Sequence, residues 1–194
     1  MKHFSELSPA AERVVDAAEG LMQQQGYNGF SYDDVAQLIG IKKPSVHHHF
    51  PTKGELAAVV VQRYTHRFRE ELLRIEGGHA HARDRLTAYA ELFDRTFARE
   101  RRLCVCGMLG AEAHDLPQAV RDEVVRFFDI NLRWLCEAFK LGQTEGALSA
   151  QAQPDALARA YLCALEGAMV VGRGLADDQQ PTAVGSAMLD LCWR

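Results

Sequence analysis

The fold of this chain is decided by residues 31–53, which read SYDDVAQLIGIKKPSVHHHFPTK. Ser31 and Asp34 match the S-x-x-[DE] capping box, in which two side chains satisfy the first backbone amides of a helix. Gly40 is a natural left-handed stop for that helix, and a second short helix is expected over residues 43–49. Two short helices joined by a three- to four-residue turn are typical of a helix-turn-helix, whose second helix enters a DNA major groove.

The two sides of this second short helix carry different types of residue. Val46 and Phe50 are its apolar anchors, so the opposite side is left free to carry hydrogen-bond donors. The candidate donors are Lys42, Lys43, Ser45, His47 and His48. Lysine and histidine donors can reach phosphate oxygens or guanine acceptors, and serine can reach either. Because many helical proteins contain a short helical hairpin, this pattern alone leaves DNA binding open.

The charge of the chain is unevenly distributed. All 194 residues together carry a net charge of −4, whereas residues 42–74 carry +4 with histidine neutral, which leaves −8 for the rest. A local basic stretch on an acidic chain suits a surface that meets phosphate. A solvated helix face with scattered arginines would show the same charge, so the charge alone does not decide between them.

The composition places the chain among ordinary globular proteins. Hydrophobic residues make up 47% of it, yet no window approaches the roughly 18 apolar residues that a membrane span needs, and no apolar leader follows the N-terminus. The five cysteines are odd in number and irregularly spaced, which favours reduced thiols over a disulfide framework. We therefore expect a cytoplasmic protein without a membrane segment and without a cofactor or metal.

The whole chain has the pattern of an all-α protein. The first helix should open at Ser8-Pro9 and stop at Gly26, and a long fourth helix should run from Lys53 to about Gly77-Gly78. Five further helices are expected at about 81–100, 103–114, 117–144, 154–176 and 181–192.

Three segments carry a more specific signature: G-Y-x-G-F-S-Y-x-x-V-A at residues 26–36, G-I at 40–41, and S-V-H-H-H-F-P-T-K-x-x-L at 45–56. In this order and spacing they resemble the N-terminal domain of the TetR family of transcriptional repressors, in its TetR/AcrR-like form. The resemblance covers residues 9–60. It implies a helix-turn-helix DNA-binding domain over residues 1–52, a connecting helix over 53–75, and a helical ligand-binding and dimerisation domain over 76–194.

The function implied by the resemblance is that of a DNA-binding transcriptional regulator, and not an enzyme. Such a regulator is most often a repressor, released from a pseudo-palindromic operator by a small-molecule inducer or by thiol modification. Its partners would be double-stranded operator DNA, a small-molecule or electrophile effector, and a second copy bound through the last two long helices.

The family pattern also assigns DNA-contacting residues by position. Ser31 would cap the second helix and contact a phosphate, and Tyr32 would lie at the groove edge. The full set implied is Ser31, Tyr32, Lys42, Lys43, Ser45, His47, His48 and Lys53. Lys42 replaces the customary small polar cap, and Pro44 stands where the family often has glycine, so the operator sequence cannot be predicted.

The resemblance implies a ligand pocket in the C-terminal half, where aromatic and sulfur-containing side chains are plentiful. The candidates are Phe93, Phe97, Cys104, Met108, Phe128, Arg133, Trp134 and Tyr161. At helical spacing such residues are also what a simple core would contain. Arg133, His114 and Glu166 are the polar groups considered as ligand anchors.

Cys104 has a more specific context, since Arg99, Arg101 and Arg102 precede it and a helix is expected to begin beside it. Both features favour the thiolate, and the segment resembles TetR-like regulators that include sensors of electrophiles and oxidants. A buried structural cysteine is the alternative, because free cysteine is among the most buried residue types. Zinc would find at most three ligands in Cys104, Cys106 and His114.

Three other interpretations remain at this stage. His47, His48 and His49 could bind a metal, but consecutive helical residues point about 100° apart and cannot chelate one ion. Cys104 and His114 could form a catalytic pair, but ten helical residues separate them by about 15 Å. A helical thiol-sensing or partner-binding protein without DNA binding is the third.

Overall fold

The computed structural model describes residues 3–176 and 180–193, and the all-α prediction is confirmed. A short 3₁₀ turn at Phe4–Glu6 precedes the α-helices. The α-helices are α1 (Pro9–Gln25), α2 (Tyr32–Ile39), α3 (Lys43–His49), α4 (Lys53–Gly78), α5 (Ala82–Phe97), α6 (Val105–Ala111), α7 (Gln118–Thr144), α8 (Pro154–Leu175) and α9 (Pro181–Cys192).

The ends of the first helices lie where the sequence predicts them, and the caps explain why. Ser8 caps α1 by accepting a hydrogen bond from the Ala11 amide at 3.3 Å. Ser31 and Asp34 form the complete capping box at the start of α2. Gly40 ends α2 with a φ of 69°, a left-handed conformation that costs glycine little.

Two helices are shorter than expected. α5 stops at Phe97 instead of near residue 100, because Glu100 and Arg101 have φ angles of 58° and 51° and so cannot continue a right-handed helix. α6 covers Val105–Ala111 instead of residues 103–114. The segments that flank α6 therefore contain fewer helical residues than the sequence predicts.

The described residues divide into two compact units. The first contains the chain up to Arg67 together with Cys104–Phe128, and the second contains Phe68–Leu103 together with the described residues from Asp129 onward. The first unit thus includes α6 and the start of α7 in addition to the three N-terminal helices. The functional boundaries expected at residues 52 and 76 remain predictions.

The core of the first unit holds α3 in place. Val14, Val15 and Met22 of α1 are fully buried. Val35 of α2 and Val46 of α3 are also fully buried. Burying a valine or methionine side chain contributes about 1.5–3 kcal/mol, so this core orients α3 firmly.

The second unit is built on the packing of α5, α8 and α9. Tyr161 of α8 is fully buried and its hydroxyl donates to the Leu86 carbonyl of α5 at 2.9 Å. Gly185 allows α9 to approach closely, since a Cβ there would lie 2.9 Å from the Tyr161 hydroxyl. Asp94 accepts hydrogen bonds from the amide and hydroxyl of Thr182, which fixes the start of α9. None of the helices in the described ranges is long and apolar enough to cross a bilayer.

Candidate nucleic-acid interface and effector site

The outward side of α3 presents the five donors that the sequence predicts. Val46 and Phe50 are buried at 0% and 3% exposure, so they anchor α3 in the core. All five predicted donors are exposed: Lys42, Lys43, Ser45, His47 and His48. α3 is therefore held through two apolar side chains and presents basic and polar groups, together with Pro44, to solvent.

Two of these donors contact the N-terminal end of α2. The Lys43 ammonium lies 2.7 Å from the Asp33 carboxylate, and both side chains remain about half or more exposed. Exposed ion pairs of this kind contribute about 0–1 kcal/mol, so a phosphate can replace Asp33 as the partner. The His47 ring packs edge-on against Tyr32, with ring centroids 4.6 Å apart.

Tyr32, expected at the groove edge, is buried and engaged within the first unit. Its side chain is buried, and its hydroxyl donates to the Phe50 carbonyl at 2.9 Å. Burial raises the pKa of this phenol, so it stays protonated as the hydrogen bond requires. Tyr32 therefore joins the start of α2 to the end of α3, and its contact with DNA stays a prediction.

Lys53 is engaged by a carbonyl and two aromatic rings, and its contact with a phosphate stays a prediction. Its ammonium donates to the Phe30 carbonyl and lies 4.3 Å and 4.8 Å from the ring centroids of Phe30 and Tyr27. Burial lowers the pKa of this half-buried lysine. Because the ammonium already has an acceptor and two aromatic faces, Lys53 fastens α4 to the α1–α2 loop.

Ser31 is exposed, as a phosphate contact needs, but its hydroxyl is engaged in the cap. It lies 2.7 Å from Asp34 Oδ2 and accepts from the Asp34 amide at 3.4 Å. These hydrogen bonds lower the pKa of the Asp34 carboxyl. The contact between Ser31 and a phosphate stays a prediction.

Sequence reasoning missed Glu112, which directly follows α6. Its carboxylate accepts hydrogen bonds from the backbone amides of Tyr27 and Asn28 at 2.5 Å and 3.1 Å. Glu112 thereby holds the loop between α1 and α2, and this loop leads directly into the helix-turn-helix. No local signal marks it, because its partners lie 84 and 85 residues earlier in the chain.

Three of the predicted effector residues gather around Tyr89 in the second unit. The Phe93, Trp134 and Tyr161 rings lie 5.5, 5.4 and 6.4 Å from the Tyr89 ring, and Trp134 is stacked on it. The hydroxyl of Tyr161 already donates within the core, whereas the buried indole N–H of Trp134 has no partner in the described part of the chain. Phe97 is buried in the same unit.

Arg133 does not belong to this aromatic cluster. Its side chain is exposed, and its Nε donates to the Asp129 carbonyl one turn earlier on α7. It lines an open surface groove of about 730 Å³, together with Cys136 and Asp155. We therefore correct the prediction that Arg133 anchors a ligand inside the apolar lining.

The remaining predicted effector residues, Cys104, Met108 and Phe128, lie in the first unit. Cys104 is the N-cap of α6, as expected, but it is 1% exposed, and the neighbouring Cys106 is fully buried. Reactive cysteines are at least partly accessible, so this conformation does not present Cys104 to a reagent. The role of Cys104 as a sensor of electrophiles stays a prediction.

The other polar candidates are also dispersed. His114 is exposed in the turn between α6 and α7. His48 and His49 contact each other with ring centroids 5.4 Å apart. Among the residues that the structure describes, no group of three metal-binding side chains converges.

Each half of the chain matches a known protein-family model. The family model described as "Bacterial regulatory proteins, tetR family" matches residues 14–60, and the model of the tetracyclin repressor-like C-terminal domain matches residues 82–188. The second match alone covers more than half of the 194 residues.

Individual relatives agree with these matches. The transcriptional regulator AcuR of Cereibacter sphaeroides is 28% identical over 167 residues, which cover 84% of this chain and 76% of AcuR. The HTH-type transcriptional repressor DhaR of a Mycobacterium sp. is 22% identical over 164 residues, covering 84% of this chain and 82% of DhaR. A TetR-family regulator from Agrobacterium tumefaciens has a crystal structure with a TM-score of 0.90 and 29% identity, covering 95% of this chain and 98% of that one.

Proposed function

Because the chain belongs to the TetR family of bacterial regulatory proteins, we propose that it represses transcription by binding a pseudo-palindromic operator through the exposed face of α3. Proteins of this family bind operator DNA, dimerise and are not enzymes. One observation carries the proposal: five candidate donors at the N-cap of and along α3 are all exposed, while Val46 and Phe50 anchor this short helix in the core. Repression, and not only regulation, is supported by the likeness to DhaR, which is named a repressor.

The donors on α3 differ in the part each would have. Lys42 and Lys43 lie at the N-terminal end of the helix, where recognition helices present side chains to bases and phosphates. Ser45, His47 and His48 follow within one turn, so all five can reach one stretch of groove. Tyr32 and Lys53 act behind this surface and hold it in position.

A homodimer through α8 and α9 would present two copies of α3 to the DNA. Several large apolar side chains on these two helices are exposed: Val170, Val171, Leu175 and Leu191. A groove of about 310 Å³ beside them is lined by small residues, including Gly167 and Gly172, and such residues allow helices to approach closely. Exposed apolar surface of this kind favours association with a second copy.

Release from DNA would follow from binding of a small effector in the C-terminal part of the chain. An effector can do this only if it binds more tightly to a conformation whose two recognition helices no longer fit the operator. α4 is continuous from the helix-turn-helix to Gly78 and is the candidate lever. We place the protein in the cytoplasm, where its DNA target lies.

The proposal is tested by measuring the affinity of single variants for DNA enriched from a random pool by the wild-type protein. We expect Lys43→Ala and His47→Ala each to weaken binding by about tenfold, which corresponds to losing one good contact. Lys140→Ala and His114→Ala are the matched controls, since Lys140 also lies beside a carboxylate at an exposed position and His114 is exposed in the same unit.

Undiminished affinity of both α3 variants would refute the assignment of α3 as the recognition helix. If the wild-type protein enriches no sequence at all, the alternative of a thiol-sensing or partner-binding helical protein gains support.

Release from DNA by thiol modification is tested separately with Cys104→Ser, which should abolish release by an electrophile if Cys104 is the sensor.

A further inference from the structure

A polar cluster lies inside the first unit, where α4 packs against α7. Tyr64 and Phe127 mark this interface as apolar, because both are buried and their ring centroids are 5.5 Å apart. Within it, the Gln62 side-chain amide donates to Glu123 Oε1 at 2.9 Å. Thr65 lies one turn after Gln62, on the same face of α4.

Glu123 is a carboxylate in an unusual place, since the residue is only 6% exposed. A buried charge is unfavourable unless it is paired and hydrogen-bonded. The structure provides the neutral amide of Gln62 and, at 3.7 Å, the Nε of Arg126. The Arg126 side chain is 65% exposed, so solvent screens its attraction for the carboxylate.

Two oxygen atoms on this face of α4 are buried without a hydrogen bond to any described residue. They are Gln62 Oε1 and Thr65 Oγ1, and Thr65 is 7% exposed. The orientation of the Gln62 amide is set by Glu123, because the carboxylate requires the NH₂ group and so turns the carbonyl oxygen elsewhere. Buried acceptors without donors destabilise a protein, and native structures contain few of them.

We propose that Gln62, Thr65 and Glu123 form the polar end of the effector site and that the effector carries an organic ammonium group. The inference rests on the effector-released repressor proposed above. Gln62 Oε1 and Thr65 Oγ1 can each accept an N–H bond, and the negative charge of Glu123 complements a cation and repels a carboxylate. The adjacent Tyr64 and Phe127 rings suit an ammonium group and its hydrocarbon part.

The test uses three compounds on one hydrocarbon skeleton: benzylamine, benzyl alcohol and benzoate. Binding to the full-length protein is measured at pH 7 by isothermal titration calorimetry and thermal shift. We expect benzylamine to bind and the other two not to. Glu123→Gln should weaken the affinity for benzylamine about tenfold, as expected for a lost hydrogen bond to a charged acceptor. Thr65→Val should weaken it about threefold or more, as expected for a lost hydrogen bond to a neutral acceptor.

The matched control is Glu137→Gln, an exposed carboxylate on the same helix α7, which should leave benzylamine affinity unchanged. Binding of benzoate in preference to benzylamine, unchanged affinity in Glu123→Gln, or no binding of any probe would each overturn the inference. A crystal structure in which an internal water satisfies Gln62 Oε1 and Thr65 Oγ1 with benzylamine present would also overturn it.

Operator affinity, measured on the same wild-type preparation, distinguishes failure of the ammonium-effector proposal from failure of the repressor proposal. Tight operator binding without benzylamine binding would refute the ammonium effector and leave the repressor standing. Failure to bind any DNA sequence would refute the repressor itself.

Discussion

Lys43 and Lys53 flank the recognition helix, but their ammonium groups have different surroundings. Lys43 is exposed and paired with Asp33, whereas Lys53 is half-buried against Phe30 and Tyr27. A lysine that contacts phosphate contributes to the salt dependence of DNA affinity, because its binding releases a condensed counterion. The two side chains should therefore differ in their contribution to the salt dependence of DNA affinity, which does not depend on the stability of the fold.

The first prediction compares Lys43→Ala with Lys53→Met in a series of salt concentrations. We expect Lys43→Ala to reduce the slope of log affinity against log salt by about one for each subunit. Lys53→Met should leave the slope unchanged while lowering the free energy of unfolding, since the Phe30 carbonyl loses its donor. A reduced slope in Lys53→Met would restore Lys53 as a phosphate contact.

The sequence predicts the exposure of a residue only where its partners are close to it in the chain. The exposure of Lys43 and His47 follows from the apolar anchors Val46 and Phe50 within the same short helix. The burial of Tyr32 depends on the Phe50 carbonyl 18 residues later, and that of Lys53 on the Phe30 carbonyl 23 residues earlier. No pattern near either residue indicates which carbonyl it will meet.

At the scale of the element, α2 depends on its capping box. Ser31→Ala should lower the free energy of unfolding by about 1 kcal/mol at pH 7, as N-cap replacements do. The pKa of Asp34 is lowered in the folded state, so the stability it confers is present above about pH 4 and is lost as the pH falls through its folded value. Urea unfolding from pH 7 to pH 2.5 should therefore show the wild type and Ser31→Ala converging in acid. A difference that stays constant with pH would contradict a contribution from the bond between the Ser31 hydroxyl and the Asp34 carboxylate, and would leave the hydroxyl's bond to the Asp34 amide as its source.

The turn after α6 is joined to the helix-turn-helix by Glu112. We expect Glu112→Ala to speed hydrogen exchange at the Tyr27 and Asn28 amides, because both lose their acceptor. Hydrogen bonds to charged groups contribute about 1.5–3 kcal/mol, so the free energy of unfolding should fall by about 2 kcal/mol. Glu112→Gln retains a carbonyl acceptor and should keep part of the protection. Unchanged exchange in Glu112→Ala would show that the loop is held by other contacts.

The helix boundaries were predictable because caps and stops are written in neighbouring residues. Ser8, Ser31 and Gly40 mark ends that the structure confirms. The early end of α5 was not predictable, since residues 98–101 have helical composition and their turn is determined by tertiary structure. Glu112 belongs to the same class, because its partners lie in the loop between α1 and α2, far away in the sequence.

At the scale of the whole molecule, operator binding depends on two copies of the chain. Val171 on α8 and Val125 on α7 are 58% and 57% exposed, which makes them a matched pair. Val171→Glu should raise the dimer dissociation constant by about tenfold or more, since two like charges meet across a two-fold interface. Val125→Glu should leave it unchanged. Sedimentation velocity over a concentration series measures both, and dissociation by Val125→Glu alone would move the interface away from α8.

Operator binding by a dimer of this chain is tested most directly by the sequence that the wild-type protein enriches from a pool of random duplexes. We predict an inverted repeat whose two half-sites are centred about one helical turn, roughly 34 Å, apart or at a multiple of that spacing. Such a site would match two copies of α3 related by a two-fold axis. Enrichment of a single asymmetric sequence, or of none, would contradict the claim that this chain is a dimeric operator-binding repressor.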